Sequence, residues 1–152
     1  MIRVVDQAFD PGAELTAFCR GRTLTGAVAS FVGLARGDPD KAAALELQSY
    51  DGFTEAAMND MAETAIRRFD LQDAEIVHRV GAIPAGEAIV LVLTAAAHRR
   101  AALEACDYLM DHLKSRAPLW KKEQGEGEAR WVEPTQGDLV DLARWERDGG
   151  TR

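Results

Sequence analysis

Hydrophobic and polar positions along the 152 residues recur with two periods, and the switches between them mark the elements. Ile2-Arg3-Val4-Val5 reads as a short strand. Asp10-Pro11 offers an N-cap and a first-turn proline, and Leu15, Phe18 and Cys19 then recur on one helical face. Leu24 to Val32 alternates and is rich in β-formers, giving a strand that ends at Gly33. Leu34-Ala35-Arg36-Gly37-Asp38-Pro39-Asp40 is turn chemistry and reads as a loop. Ala44 to Tyr50 alternates again, with Leu45 and Leu47 set against Glu46 and Gln48, the pattern of a half-buried strand. Asp51-Gly52 turns the chain into a helix on which Met58, Met61, Ala65 and Phe69 fall at helical spacing.

Ala74 to Val80 is a further alternating strand, stopped by Gly81 and followed by the loop Ile83-Pro84-Ala85-Gly86-Glu87. Ala88 to Ala96 is continuously apolar, as in a central strand buried on both faces. From His98 the period lengthens: Ala102, Cys106, Leu109 and Leu113 stand at i, i+4, i+7 and i+11 on the buried face of a helix. Pro118 ends that helix and pushes Ala117 towards an extended conformation. Gln124-Gly125-Glu126-Gly127-Glu128 is a polar connection, Ala129 to Glu133 a last strand, and Asp138 to Arg147 a short terminal helix. The strands Ala74–Gly81 and Ala88–Ala96 are joined too tightly for a parallel crossover, so the class is α+β with a largely antiparallel sheet. No repeat or linker divides the chain, and one domain over residues 1–152 is expected.

Composition narrows the class. Met1-Ile2-Arg3-Val4-Val5-Asp6 lacks the layout of a signal peptide. The apolar run to Ala97 falls far short of the roughly 20 residues of a membrane span. A cytoplasmic protein without a membrane partner is expected. Cys19 and Cys106 form no CxxC pair and have no histidine at zinc-ligand spacing, so they read as small buried apolar residues rather than metal ligands.

The net charge of −7 argues against general nucleic-acid binding, yet it is unevenly spread. From His98 to Lys122 six Lys/Arg face three acids (Glu104, Asp107 and Asp111), a local +3, so the remainder sums to −10. A basic island in an acidic chain points to a local anion site. His98-Arg99 stands where the buried strand gives way to the helix, where free N–H groups and the helix dipole favour phosphate or carboxylate; solvated charges at a helix start are the alternative. Arg36 follows a second strand end, where a loop arginine is commonly just solvated. Lys114 lies at the helix end, and Asp111 one turn back could pair with it. Ala117-Pro118-Leu119-Trp120 is a stiff link that could hold Lys114 and Lys121 near one pocket; desolvated lysines serve as acid, base or nucleophile. His78, in an alternating strand, reads as structural, and His112, beside Asp111, as a solvated helix residue.

Taken in order, the segments resemble the large, catalytic subunit family of molybdopterin synthase. The matching pieces are Gly26-Ala27-Val28, Phe31-Val32-Gly33 and Arg36, then Leu45, Tyr50 and Thr54-Glu55, then His78-Arg79-Val80-Gly81-Ala82-Ile83 and Gly86-Glu87. They continue with Ala97-His98-Arg99 and Ala105, Leu113-Lys114, Ala117-Pro118-Leu119-Trp120-Lys121-Lys122-Glu123 and Arg130-Trp131-Val132. The resemblance runs from about Ile2 to Trp145. HRVG alone is a weak signal; HR followed by LKxRAPxWKxE in this order is highly specific.

The resemblance implies an α/β-hammerhead-like fold with an added antiparallel portion, and a sulfurtransferase that needs no cofactor. A small ubiquitin-like subunit threads its thiocarboxylated Gly-Gly tail into the large subunit's pocket. Sulfur passes to cyclic pyranopterin monophosphate, and two transfers build the dithiolene. Large subunits dimerise, with one small subunit at each outer end of a heterotetramer. Lys114 and Lys121 match the catalytic lysines, Lys114 nearest the thiocarboxylate. Arg36, His98 and Arg99 are expected to hold the pterin phosphate, with Lys122 and Glu123 flanking the pocket. Two departures stand out. Gly37-Asp38-Pro39-Asp40 lacks the Asn/His-bearing stretch of relatives, and Pro134-Thr135 stand where many relatives carry a further arginine, with no base before Arg144. The substrate site is thus expected to be one positive charge short or completed from elsewhere. A family member that keeps only a scaffold role for the small subunit is the alternative reading.

Overall fold

The computed structural model describes residues 1–36, 45–49, 52–122, 130–131 and 134–147; at 45, 120–122, 130, 131 and 147 the description is of the backbone. The elements run β1 (Ile2–Val5), α1 (Pro11–Cys19), β2 (Ala27–Leu34), β3 (Leu45–Ser49), α2 (Phe53–Phe69), β4 (Asp73–Arg79), β5 (Gly81–Ile83), β6 (Ala88–Ala96), α3 (Arg99–Arg116), β7 (Leu119–Lys122), β8 (Arg130–Trp131) and α4 (Gln136–Arg147). They build two four-stranded sheets, ordered β1-β4-β6-β2 and β5-β3-β7-β8. All described pairings are antiparallel except β1 with β4, so the expected α+β class with an added antiparallel portion holds.

The period-2 pleat of the first sheet sorts its side chains onto two faces. Ala74, Ile76, Val90 and Val92 face α2 and α3, where Met58, Ala65, Ala105 and Leu109 close the larger core. Val77, Leu91, Leu93 and Ala95 face the other way and pack against Phe18 of α1. β6 therefore has apolar neighbours on both sides, which is why its sequence shows no alternation. Leu91, Leu93 and Val92 are wholly inaccessible to solvent; each such side chain contributes about 1.5–3 kcal/mol through burial. Asp10 caps α1 as expected, accepting from the N–H groups of Gly12 (2.8 Å) and Ala13 (3.1 Å).

The sheets join at a corner. β4 ends at Arg79, and Gly81 opens β5 of the second sheet with φ near +84°, a conformation glycine adopts without strain. The residues at Gly81–Ile83, expected to end one strand and open a loop, thus form a strand because β3 pairs with them. Strand β2 starts at Ala27 and runs through Leu34, later at both ends than its alternation suggested. Gly26, just before it, lies so close to Ala97 that a Cβ there would sit 2.0 Å from the Ala97 carbonyl oxygen.

Two expected burials are reversed. Cys19, the last residue of α1, is exposed, whereas Cys106 is buried as expected. His112 is buried, not solvated: its ring stacks on Tyr108 at 3.8 Å, and Nδ1 donates to the Tyr108 carbonyl at 2.8 Å. Burial, with Arg116 and Arg68 nearby, holds its pKa below the usual histidine value. No described helix is long and apolar enough to cross a membrane.

Candidate active site

Where the two sheets diverge, the end of α3 leaves a cavity of about 320 Å³. Strand β2 lines it with Phe31, Gly33 and Leu34, β3 with Leu47, β4 with His78, and β6 with Ile89 and Val90. Helix α3 adds Met110, Leu113 and Lys114, and Ala117 and Leu119 complete the wall. Gly33 keeps part of this space open: a Cβ there would lie 2.7 Å from Val90 Cγ1. The ladder between β2 and β6 also shifts register at Gly33/Leu34, with Leu34 paired to Ala88 beyond the shift.

Lys114 is the cation among the described residues that line this cavity. It occupies the last turn of α3, its side chain is exposed, and it makes no ion pair among the described residues. The expected pairing with Asp111 does not form. Asp111 instead accepts from Arg144 (2.8 Å) and from Trp145 Nε1 (2.6 Å), locking α4 onto α3. The Lys114 charge is felt on both sides. It helps, after burial, to push the buried His78 down to about 4. It also adds to the hydrogen bonds from Thr135 that hold the Asp138 carboxyl below the usual range.

The other expected residues divide into near and far. Lys121 lies on β7, paired in register with the cavity-lining Leu47, and Lys122 is paired with Glu46. The stiff Ala117–Trp120 link is therefore partly a strand, anchored where the Thr54 hydroxyl donates to the Pro118 carbonyl at 2.9 Å. Arg36 emerges exposed just after β2. Its neighbour Ala35 is fixed by donating to the Glu87 carbonyl (2.8 Å) and accepting from the Gly86 N–H (2.7 Å). Glu123 and the Gly37–Asp40 loop lie outside the described residues.

His98 and Arg99 are not near Lys114. His98 is the N-cap of α3, both residues are exposed, and among the described residues no side chain caps the free N–H groups of that turn. From Arg99 to Lys114 the helix rises roughly 22 Å at 1.5 Å per residue, more than an arginine and a lysine laid end to end. The basic island is thus two places at opposite ends of one helix.

Thr135, which stands where the resemblance implies a further arginine, has its own structural task. Its N–H (2.8 Å) and hydroxyl (2.7 Å) donate to Asp138 Oδ2, and the Asp138 N–H returns a bond to the hydroxyl at 3.2 Å. This reciprocal cap starts α4. Arg144 does not make up the missing charge, since it pairs with Asp107 (2.7 Å) and Asp111 (2.8 Å).

His78 is the cavity residue that sequence reasoning set aside. The signal was present: alternation along β4 places it on the same face as Ala74 and Ile76, and a titratable group on a buried face needs an explanation.

Comparison with known proteins places these features in a family. The profile of the family described as "MoaE protein" matches residues 4–116. A Caulobacter vibrioides relative named "Molybdopterin synthase catalytic subunit" is 59% identical over 148 residues, covering 97% of this chain and 99% of its own. A Ralstonia nicotianae relative of the same name is 47% identical over 95% of this chain and 83% of its own. Among solved structures, the "Molybdopterin biosynthesis MoaE protein" from Burkholderia ambifaria superposes with a TM-score of 0.82 at 43% identity, covering 96% of this chain and 97% of that one.

Proposed function

Because the chain belongs to the MoaE protein family, we propose that it is the catalytic subunit of a molybdopterin synthase, a sulfurtransferase. The observation that carries this reading furthest is an exposed lysine, unpaired among the described residues, at a cavity whose other described lining is apolar except for the buried His78. Such a cavity suits a side-chain-free peptide tail that ends in an anion. The tail is the thiocarboxylated Gly-Gly terminus of a small ubiquitin-like subunit, and Lys114 receives its terminal group. Lys121, opposite Leu47 in the β3–β7 ladder, is the second catalytic lysine. One lysine holds or moves a proton while the other stabilises negative charge on oxygen or sulfur as the sulfur bonds to the pterin and water replaces it on the acyl carbon, leaving the tail as a carboxylate.

Cyclic pyranopterin monophosphate accepts the sulfur, and its phosphate is held by Arg36, His98 and Arg99; the arginine fork suits phosphate in a bidentate way. Lys122 and Glu123 flank the site. The length of α3 separates His98 and Arg99 from the Lys114 of their own chain, so in this reading a second copy supplies them. A homodimer core with two small subunits follows.

The test is reconstitution with the thiocarboxylated small subunit and the pterin precursor. Lys114→Ala should abolish dithiolene formation while the small subunit still binds, because the contact surface far exceeds one side chain. Undiminished turnover in that variant would remove Lys114 from the chemistry.

A further inference from the structure

The apolar walls of the cavity make its hydrogen-bonding capacity easy to state. Among its described lining residues, His78 and Lys114 alone carry side-chain nitrogen or oxygen. A lysine ammonium supplies donors and charge but no acceptor. His78 is 6% exposed, and its Nδ1 lies 3.0 Å from the Arg79 carbonyl. A carbonyl only accepts, so the ring proton sits on Nδ1 and Nε2 carries a lone pair. That nitrogen has no hydrogen-bond partner among the described residues. Burial first, and the Lys114 charge after it, keep the ring neutral down to about pH 4, so the lone pair persists at neutral pH.

A peptide terminus that enters such a space buries two kinds of polar group. Its terminal anion needs a cation, and its backbone N–H groups need acceptors, because a buried N–H left unpaired is costly. Glycines bring no side chain to serve themselves. We infer that His78 Nε2 accepts a hydrogen bond from a backbone N–H of the tail's terminal glycines while Lys114 takes the terminal anion. The inference rests on the reading above that the tail occupies this cavity. It also gives the cavity a means of selection: a free small anion satisfies Lys114 and leaves His78 unpaired, whereas a peptide terminus satisfies both.

Calorimetric titration of the whole chain separates the possibilities. The probes are the small subunit with its carboxylate-ended Gly-Gly tail and the same subunit lacking those two glycines; the ratio of the two affinities measures the tail. In His78→Leu that ratio should fall about ten- to a hundred-fold, with affinity for the shortened partner unchanged. His78→Gln, whose amide oxygen can accept, should recover most of it. A His78→Leu variant that keeps the full ratio would overturn the role of His78 and leave the tail reading standing. Loss of affinity for the shortened partner in both variants would mark His78 as structural and also overturn it. A wild-type ratio of one would overturn the tail reading itself, and the inference with it.

Discussion

The separation of Arg99 from Lys114 along α3 makes a quantitative prediction about mixed dimers. If each site takes Lys114 from one copy and His98 and Arg99 from the other, Lys114→Ala and Arg99→Ala damage the same site from different chains. In a twofold dimer carrying one copy of each variant, one site receives both lesions and the other receives none. Each pure variant should show little sulfur transfer. The purified mixed dimer, isolated through two different tags after co-expression, should regain about half the wild-type turnover. An unselected mixture from equal expression should regain about a quarter, since only half of the dimers are mixed. The assay is dithiolene formation with saturating thiocarboxylated small subunit. Precursor is held below the wild-type KM, so that losing one phosphate contact lowers sulfur transfer at every site that lacks Arg99. A mixed dimer no more active than the better pure variant would refute the argument. It would mean that both residues act in one chain despite the roughly 22 Å of helix between them.

Two further outcomes follow from the packing. His78 has a folded pKa of about 4 against an ordinary 6.5, so between these values the unfolded chain binds a proton that the folded chain refuses. Stability should therefore fall as pH falls through that window, by up to about 3 kcal/mol from this group. His78→Gln should flatten the slope in urea unfolding at pH 7, 6 and 5; His112, shifted in the same direction, remains in both proteins, and equal slopes would refute the assignment. Thr135→Ala should cost about 0.5–2 kcal/mol, concentrated in α4, and amide exchange there should quicken; unchanged exchange would mean that the Thr135–Asp138 cap contributes nothing.

Periodicity was a good guide wherever one element meets one environment. β6, buried on both faces, and α3, with its apolar stripe, were legible almost to the residue, as was the Asp10 cap of α1. Strands β5 and β7 were not. They are three and four residues long, and what makes them strands is pairing with β3 on either side, which no local pattern records. The site shows the same limit. The ordered motifs picked out Lys114, yet they could not reveal that Asp111 is already committed to Arg144 and Trp145. Nor could charge counting along the chain show that the two halves of the basic island point to opposite ends of a helix. Thr135 brings no charge to an anion site, and sequence charge alone does not reveal that its hydroxyl caps the start of α4.

The strand order β1-β4-β6-β2 has a consequence for how the chain comes to its native state. No two strands adjacent in that sheet are consecutive along the chain. β2 has to wait for β6, some sixty residues further on, and β1 for β4. While the chain leaves the ribosome, the apolar stretch at Ala88–Ala96 must therefore appear before this sheet can close around it. Assembly dominated by such distant pairings is slow compared with helix formation, and exposed edges last longer in the meantime. α1 and α2 can form early but lack most of the apolar surface they later cover, so commitment to the fold should come in one late step, when β6 slots between β4 and β2.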